Sequence, residues 1–118
     1  MNITINRGDT NTFQVTAIRA NQVVNLTGAK MWFTVKEHIW DQDDDAVLAL
    51  NSVDDASQIV SSLPTSGQFQ IQLTPADTDT LDRYAYLYDV QVKEADGTVT
   101  TVQKGKLYLN KDVTRNAT

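Results

Sequence analysis

Apolar and polar residues alternate with a period of two along most of this chain, and that pattern restricts the fold more than any other feature. The longest example covers residues 84–92, where Tyr84, Tyr86 and Tyr88 share one face with two valines. A second example covers residues 31–36. No segment of about ten residues or more keeps the 3.6-residue period of a helix, so α/β folds with parallel sheets are disfavoured.

Turn-forming residues divide the alternating segments at short intervals. Asp96-Gly97 is the strongest hairpin signal in the chain, and Pro64 with Gly67 marks a clear break. Thr74 followed by Pro75 predicts the first residues of a one-turn helix. About seven or eight short strands separated in this way predict an all-β protein, built as an antiparallel β-sandwich.

Composition is that of one globular domain, which we assign to residues 1–118. Apolar residues make up 41% and charged residues 21%, and the formal net charge is -5 with no basic cluster, which argues against nucleic acid as a partner. The chain has no cysteine, so thiolate chemistry is excluded. No apolar segment is long enough for a signal peptide or a membrane span, so neither is expected.

The segment before the long strand has the order of a tyrosine corner, in which a helical turn and an apolar residue precede a tyrosine. Leu81 is the apolar residue, and Tyr84 or Tyr86 is the candidate whose hydroxyl returns to the backbone near residues 79–81. Packing of both tyrosines against a neighbouring strand is the alternative that the sequence leaves open.

Two short motifs have a functional and a structural interpretation. His38 is the one side chain expected to titrate near neutral pH, but no nucleophile motif accompanies it, so a position at a strand end is favoured. Arg7-Gly8-Asp9 has the sequence of an adhesion motif, yet it falls where a turn between two strands is needed. We therefore predict no catalytic residue, no enzyme activity and no small-molecule substrate.

The acidic run at residues 41–45 resembles the start of a calcium-binding loop, because oxygen ligands alternate there. The pattern then fails, since Ala46 stands where the loop needs glycine and Ser52 stands where a bidentate glutamate belongs. A solvated acidic loop is favoured, and no metal or cofactor is predicted. A different calcium site that also uses Asp54 or Asp55 remains an open alternative.

The two tryptophans are the largest side chains available for recognition. Trp32 alternates with Phe33, so it is expected on the opposite face of its strand, either on the outer face of the sheet or under a loop. Exposed indoles serve as sugar platforms in some binding modules, and they also form the anchors of protein–protein interfaces. Burial of Trp32 and Trp40 against a partner subunit is the favoured interpretation.

Several short motifs occur in one order along the chain: Gly8-Asp9-Thr10, Asn25-Leu26-Thr27-Gly28-Ala29, Met31-Trp32-Phe33-Thr34-Val35-Lys36, Gly67-Gln68-Phe69-Gln70-Ile71-Gln72-Leu73-Thr74, Tyr86-Leu87-Tyr88-Asp89-Val90-Gln91-Val92, Asp96-Gly97-Thr98, Thr101-Val102, Gly105-Lys106-Leu107 and Asp112-Val113-Thr114. This order resembles the immunoglobulin-like domains of tailed-bacteriophage structural proteins, in particular the N-terminal domain of upper baseplate proteins. The similarity extends from Gly8 to Thr114.

The resemblance implies an immunoglobulin-like β-sandwich that acts as a virion building block, assembled in the bacterial host cytoplasm. Its partners would be other virion structural proteins and further copies of itself, in the tail or baseplate. A capsid decoration or head-fibre protein and a carbohydrate- or receptor-binding module are the alternatives. The edge strand at residues 1–6 could add to a neighbour's sheet. The predicted partner-contact residues are Trp32, Trp40, Asp41, Asp43 and Asp45.

Overall fold

A computed structural model describes residues 2–38 and 46–110 of the chain. These residues form ten strands, a short 3-10 turn at Pro64–Ser66 and one helical turn, α1 (Pro75–Thr78). The strands are β1 (Ile3–Asn6), β2 (Asn11–Thr16), β3 (Ile18–Arg19), β4 (Gln22–Val23), β5 (Lys30–Lys36), β6 (Leu48–Asn51), β7 (Ile59–Val60), β8 (Gln68–Leu73), β9 (Ala85–Lys93) and β10 (Val99–Asn110).

The strands form two main sheets, so the all-β prediction is confirmed. The larger sheet has the order β1-β10-β9-β5-β6, and the smaller has the order β2-β8-β7. The remaining strands, β3 and β4, pair as a short hairpin. The strand count exceeds the predicted seven or eight because β3, β4 and β7 have only two residues each.

One pair of strands departs from the predicted antiparallel arrangement. The first strand, β1, runs parallel to the last, β10, with Ile3 beside Leu107 and Ile5 beside Leu109. A parallel pair requires a long connection between its strands, and here almost the whole domain forms that connection. The alternation of the sequence could not show this, because it is the same in parallel and antiparallel strands.

The inward side chains of both sheets belong to one hydrophobic core. Phe33 on β5 is fully buried and contacts Phe13 on β2, with the ring centroids 5.5 Å apart. Phe33 also lies 5.8 Å from the ring of Tyr88 on β9. Phe33 therefore connects an inner strand of the larger sheet to the smaller sheet within the shared core.

The predicted turns are present in the structure. Gly97 has a φ of 94°, and its N–H donates to the carbonyl of Glu94 at 2.9 Å in the turn between β9 and β10. Helix α1 begins after Thr74 with Pro75 in its first turn, as predicted. The carboxylate of Asp77 accepts a hydrogen bond of 2.8 Å from the N–H of Thr74, which secures the start of this turn.

The tyrosine-corner prediction is confirmed for Tyr86. The Tyr86 hydroxyl accepts hydrogen bonds from the backbone N–H groups of Asp82 (3.1 Å) and Arg83 (3.0 Å), slightly beyond the predicted residues 79–81. Tyr86 is buried, whereas Tyr84 is 66% exposed and packs its ring against Tyr108. The two tyrosines differ because only Tyr86 lies within β9 on its core-facing side.

The turn at residues 7–9 has a structural role. Arg7 is only 4% exposed, and its Nη1 donates to the carbonyl of Leu81 at 3.2 Å. The next N–H, that of Gly8, donates to the buried hydroxyl oxygen of Thr78 at 3.0 Å. An adhesion motif must present its arginine to a receptor, so this turn does not act as one.

Candidate partner-binding surface

The outer face of the larger sheet carries the candidate site. On β5 the buried residues Met31, Phe33 and Val35 alternate with partly exposed residues, among them Trp32. The same alternation on β9 turns Leu87 away from the core. These strands lie next to each other in the middle of the sheet, so their outward side chains form one continuous surface.

Trp32 is half-buried on this outer face, which is one of the two positions that the sequence allowed. It stands opposite Gln91 on β9 and Asn51 on β6. The ammonium of Lys30 lies 4.9 Å from the centroid of the Trp32 ring, a distance typical of a cation–π contact. The indole is therefore held against its own sheet while part of it remains accessible.

A groove of about 520 Å³ lies on the outer face, and its row of Thr34 and Asp89 is next to the row of Trp32 and Gln91 in the strand register. Its floor includes Leu87, which stands between Lys36 on β5 and Lys106 on β10 in the strand register. In the next row Asp89 stands between Thr34 and Lys104. The remaining residues that line the groove are Asn2, His38, Tyr88 and Gly105.

The groove is basic, although the chain as a whole is acidic. Three lysines, Lys36, Lys104 and Lys106, line it together with one carboxylate, Asp89. The formal net charge of the whole chain is -5. A basic groove with an apolar floor is complementary to a partner segment that combines acidic and apolar side chains.

Two tyrosines extend the apolar part of this surface. Tyr108 on β10 stands opposite Ala85, the outward position next to Leu87 along β9. The ring of Tyr84 lies 5.5 Å from that of Tyr108. Tyrosine and tryptophan are enriched where proteins bind each other, so this face has the side chains that an interface uses.

Of the predicted contact residues, the structure places only Trp32. Trp40, Asp41, Asp43 and Asp45 lie outside the described residues. The sequence prediction missed Leu87 and the three lysines that line the groove. Leu87 was recognisable as an apolar residue at an outward position of an alternating strand, but the lysines come from two strands, β5 and β10, that lie on either side of β9, and the sequence did not show this order.

The alternative calcium ligands take part in a turn. The Asp55 carboxylate accepts from the N–H of Asn51 at 3.0 Å, and the Asp54 carboxylate accepts from the Asn51 side-chain amide at 3.0 Å. The Asn51 side-chain oxygen in turn accepts the N–H of Val53 at 3.0 Å and that of Asp54 at 2.8 Å. Within the part of the chain that the structure describes, no three acidic or histidine side chains form a metal-binding group.

The phenol of Tyr88 has a perturbed pKa. Burial raises this pKa above its ordinary value of 10.0, and a 2.9 Å hydrogen bond from the side-chain amide of Gln103 partly opposes the rise. Because the Tyr88 phenol has a higher pKa in the folded state than in the unfolded state, its contribution to stability is fully present at pH values below the pKa of the unfolded state. This contribution is lost as the pH rises through the folded pKa.

We therefore expect an alkaline loss of stability that depends on Tyr88. Above about pH 10 the free energy of unfolding should fall more steeply for the wild-type protein than for Tyr88→Phe, because phenylalanine cannot ionise. Urea unfolding between about pH 8 and pH 11 measures this difference. Equal slopes for the two proteins would contradict the assigned role of Tyr88.

Comparison with known proteins adds no family assignment. No protein-family model matches the sequence, and no curated protein is found to be similar to it. Among residues 2–38 and 46–110, no helix has the length and apolar character required to cross a membrane.

Proposed function

We propose that this chain is an immunoglobulin-like β-sandwich. In variable-type immunoglobulin domains, one sheet contains the strands named C, F and G together with an added C′ strand, and the other contains B, E and D. The order β10-β9-β5-β6 corresponds to G-F-C-C′, and the order β2-β8-β7 corresponds to B-E-D. The hydrogen bonds of Tyr86 at the entrance to β9 support the same assignment, because the tyrosine corner of such domains lies near the start of strand F.

We further propose that the protein is a structural protein of a tailed-bacteriophage virion. In this role it is an adaptor of the tail or baseplate that binds other virion proteins without catalysis. The ordered motifs described above support the phage assignment. The observation that carries the adaptor role is the outer face of the larger sheet, where Trp32 and Tyr108 lie near a basic groove whose floor includes Leu87.

A sheet face suits this role for a physical reason. The outward side chains of Trp32 and Leu87 are held by strands whose opposite sides are fully packed in the core, so little conformational entropy is lost when a partner binds. An apolar centre with a polar rim is also the usual arrangement of protein–protein interfaces. The lysines of the groove would orient an acidic partner as it approaches.

The first test is whether the chain is part of the particle. Mass spectrometry of purified virions should detect it, and electron cryo-microscopy should locate it at the tail or baseplate. Density over the head would instead assign it to capsid decoration or a head fibre. Absence from purified particles would overturn the structural role and favour the carbohydrate- or receptor-binding alternative, which binding to a glycan array would then test.

The second test places a charge in the groove. Leu87→Glu should reduce incorporation into particles about tenfold or more, because a carboxylate in an apolar contact must be desolvated when the partner binds. Val60→Glu is the matched control, since it adds the same charge in place of an exposed apolar side chain at the edge of the smaller sheet opposite to β2. Incorporation is measured relative to a major virion protein after complementation of a phage that lacks the gene. Thermal unfolding verifies that both variants fold.

The two variants together decide which face binds. Loss of incorporation with Leu87→Glu and not with Val60→Glu would support the groove as the binding surface. The reverse result would move the interface to the smaller sheet. Full incorporation of Leu87→Glu would contradict the proposed role of the groove.

A further inference from the structure

One edge of the smaller sheet is open along six residues. Strand β2 pairs with β8 on one side, and no strand of residues 2–38 or 46–110 pairs with its other side. The Ala17 N–H donates to the Gly67 carbonyl at 2.7 Å, so Ala17 and every second residue before it along β2 direct their backbone groups toward β8. Because these positions alternate, the N–H and C=O groups of Thr12, Gln14 and Thr16 point toward the open side.

This edge differs from the other sheet edges of the protein. It has six residues, whereas the edge strands β1 and β6 have four each and β7 has two. Its pairing with β8 is regular over all six residues. Natural proteins usually protect such edges with lysine, proline or a bulge, and β2 has none of these features.

The smaller sheet is also free of charge. None of the residues in β2, β7 and β8 is ionisable, although 21% of the whole chain is charged. The outward side chains of β2 and β8 are threonine and glutamine. Two copies of an acidic protein repel each other over most orientations, but they can approach through this sheet without placing like charges opposite each other.

The hydrogen-bonding pattern of β2 is complementary to itself. When two β2 strands run antiparallel with Gln14 opposite Gln14 of the other copy, Thr12 of each faces Thr16 of the other. The outward N–H and C=O groups of Thr12, Gln14 and Thr16 in one copy then bond to those of Thr16, Gln14 and Thr12 in the other. This pairing gives about six new backbone hydrogen bonds. The side chains opposite each other are threonine pairs and a glutamine pair, which hydrogen-bond well across strands.

We propose that two copies of this chain associate through β2, with the two strands antiparallel and centred on Gln14. The two smaller sheets then form one continuous six-stranded sheet across a two-fold axis. The larger sheet takes no part in this contact, so its outer face remains accessible in each copy. The inference stands on the edge of β2 alone and does not require the proposed virion function.

Sedimentation equilibrium of the purified chain tests the proposal. The wild-type protein should dimerise, and Gln14→Lys should weaken the dimer about tenfold or more, because the substitution places two ammonium groups opposite each other at the two-fold axis. Thr4→Lys adds the same charge to an exposed position of the other sheet's edge strand β1, and it should leave the dimer intact. Circular dichroism verifies that each variant is folded.

A pair of double variants tests the orientation of the strands. Thr12→Lys with Thr16→Glu should preserve the dimer, because antiparallel pairing places each new lysine opposite a new glutamate. Thr12→Lys with Thr16→Lys should disrupt it, because the same pairing brings like charges together. A parallel arrangement would place like charges together in both variants.

Three results would overturn the proposal. The first is a wild-type protein that stays monomeric up to about 1 mM, because a dissociation constant above about 1 mM corresponds to a binding free energy too small for a specific interface. The second is a dimer that Gln14→Lys leaves unchanged, which would assign the interface to another surface. The third is a dimer that Thr4→Lys weakens as much as Gln14→Lys does, which would show that the effect of the added charge is not specific to β2. None of these results bears on incorporation into virions.

Discussion

Replacing Phe33 with alanine is expected to lower the free energy of unfolding by about 3–5 kcal/mol. Phe33 is fully buried at the middle of β5 and contacts the rings of Phe13 and Tyr88. Its removal leaves a cavity between the two sheets, and the strands around it are too tightly hydrogen-bonded to close that cavity. Urea unfolding monitored by fluorescence or circular dichroism measures the loss. A domain of this size has a total stability of about 5–15 kcal/mol, so the variant is expected to be close to unfolding at 37 °C.

Trp32→Ala is the matched control for Phe33→Ala. It removes a larger aromatic side chain from the adjacent position of the same strand, but this side chain lies on the outer face. We expect a loss of only about 1 kcal/mol, from partial burial and from the contact with Lys30. A larger loss for Trp32→Ala than for Phe33→Ala would mean that the strand is shifted by one residue, because such a shift exchanges its two faces.

Tyr86→Phe is expected to cost about 2 kcal/mol, although it removes only one oxygen atom. That oxygen accepts the backbone N–H groups of both Asp82 and Arg83, and both hydrogen bonds are partly buried. Without it, two donors at the entrance to β9 lose their acceptor, and leaving a buried donor unsatisfied costs more than an average hydrogen bond contributes. The loss is measured by urea unfolding in the same way as for Phe33→Ala.

Tyr84→Phe provides the control for the hydroxyl deletion. Tyr84 lies two residues earlier and is 66% exposed, so its substitution should change the stability by less than about 0.5 kcal/mol. A comparable loss in both variants would show that the tyrosine corner makes no special contribution. A loss in Tyr84→Phe alone would mean that the two tyrosines have exchanged roles.

Features that depend on residues close together in the chain were predicted from the sequence, whereas features that depend on distant residues were not. The turn at Gly97 and the start of α1 at Thr74 were correctly predicted because each depends on residues close together in the chain. The choice between Tyr84 and Tyr86 was left open, because both continue the same alternation and only packing against the remainder of the protein separates them. The buried position of Arg7 was not predicted, since its acceptor, the carbonyl of Leu81, lies 74 residues away.

The candidate site shows the same division. Trp32 was predicted from its alternation with Phe33, and the structure places it on the outer face. The groove beside it was not predicted, because Lys36 and Lys106 lie on strands that do not neighbour each other and are brought together only by β9 between them. No pattern within a few residues of sequence shows which strands are neighbours in a sheet.

The sequence by itself determined that the chain forms strands, which side chains each strand buries and where the principal turns lie. These properties follow from the two-residue period of a strand and from the conformational preferences of glycine and proline, both of which act within a few residues. Only the tertiary structure decided that β1 runs parallel to β10, that three lysines line one groove and that no strand of the described residues pairs with the second side of β2. Strand order depends on contacts between residues that are far apart in the chain, and the same alternation is compatible with many different orders.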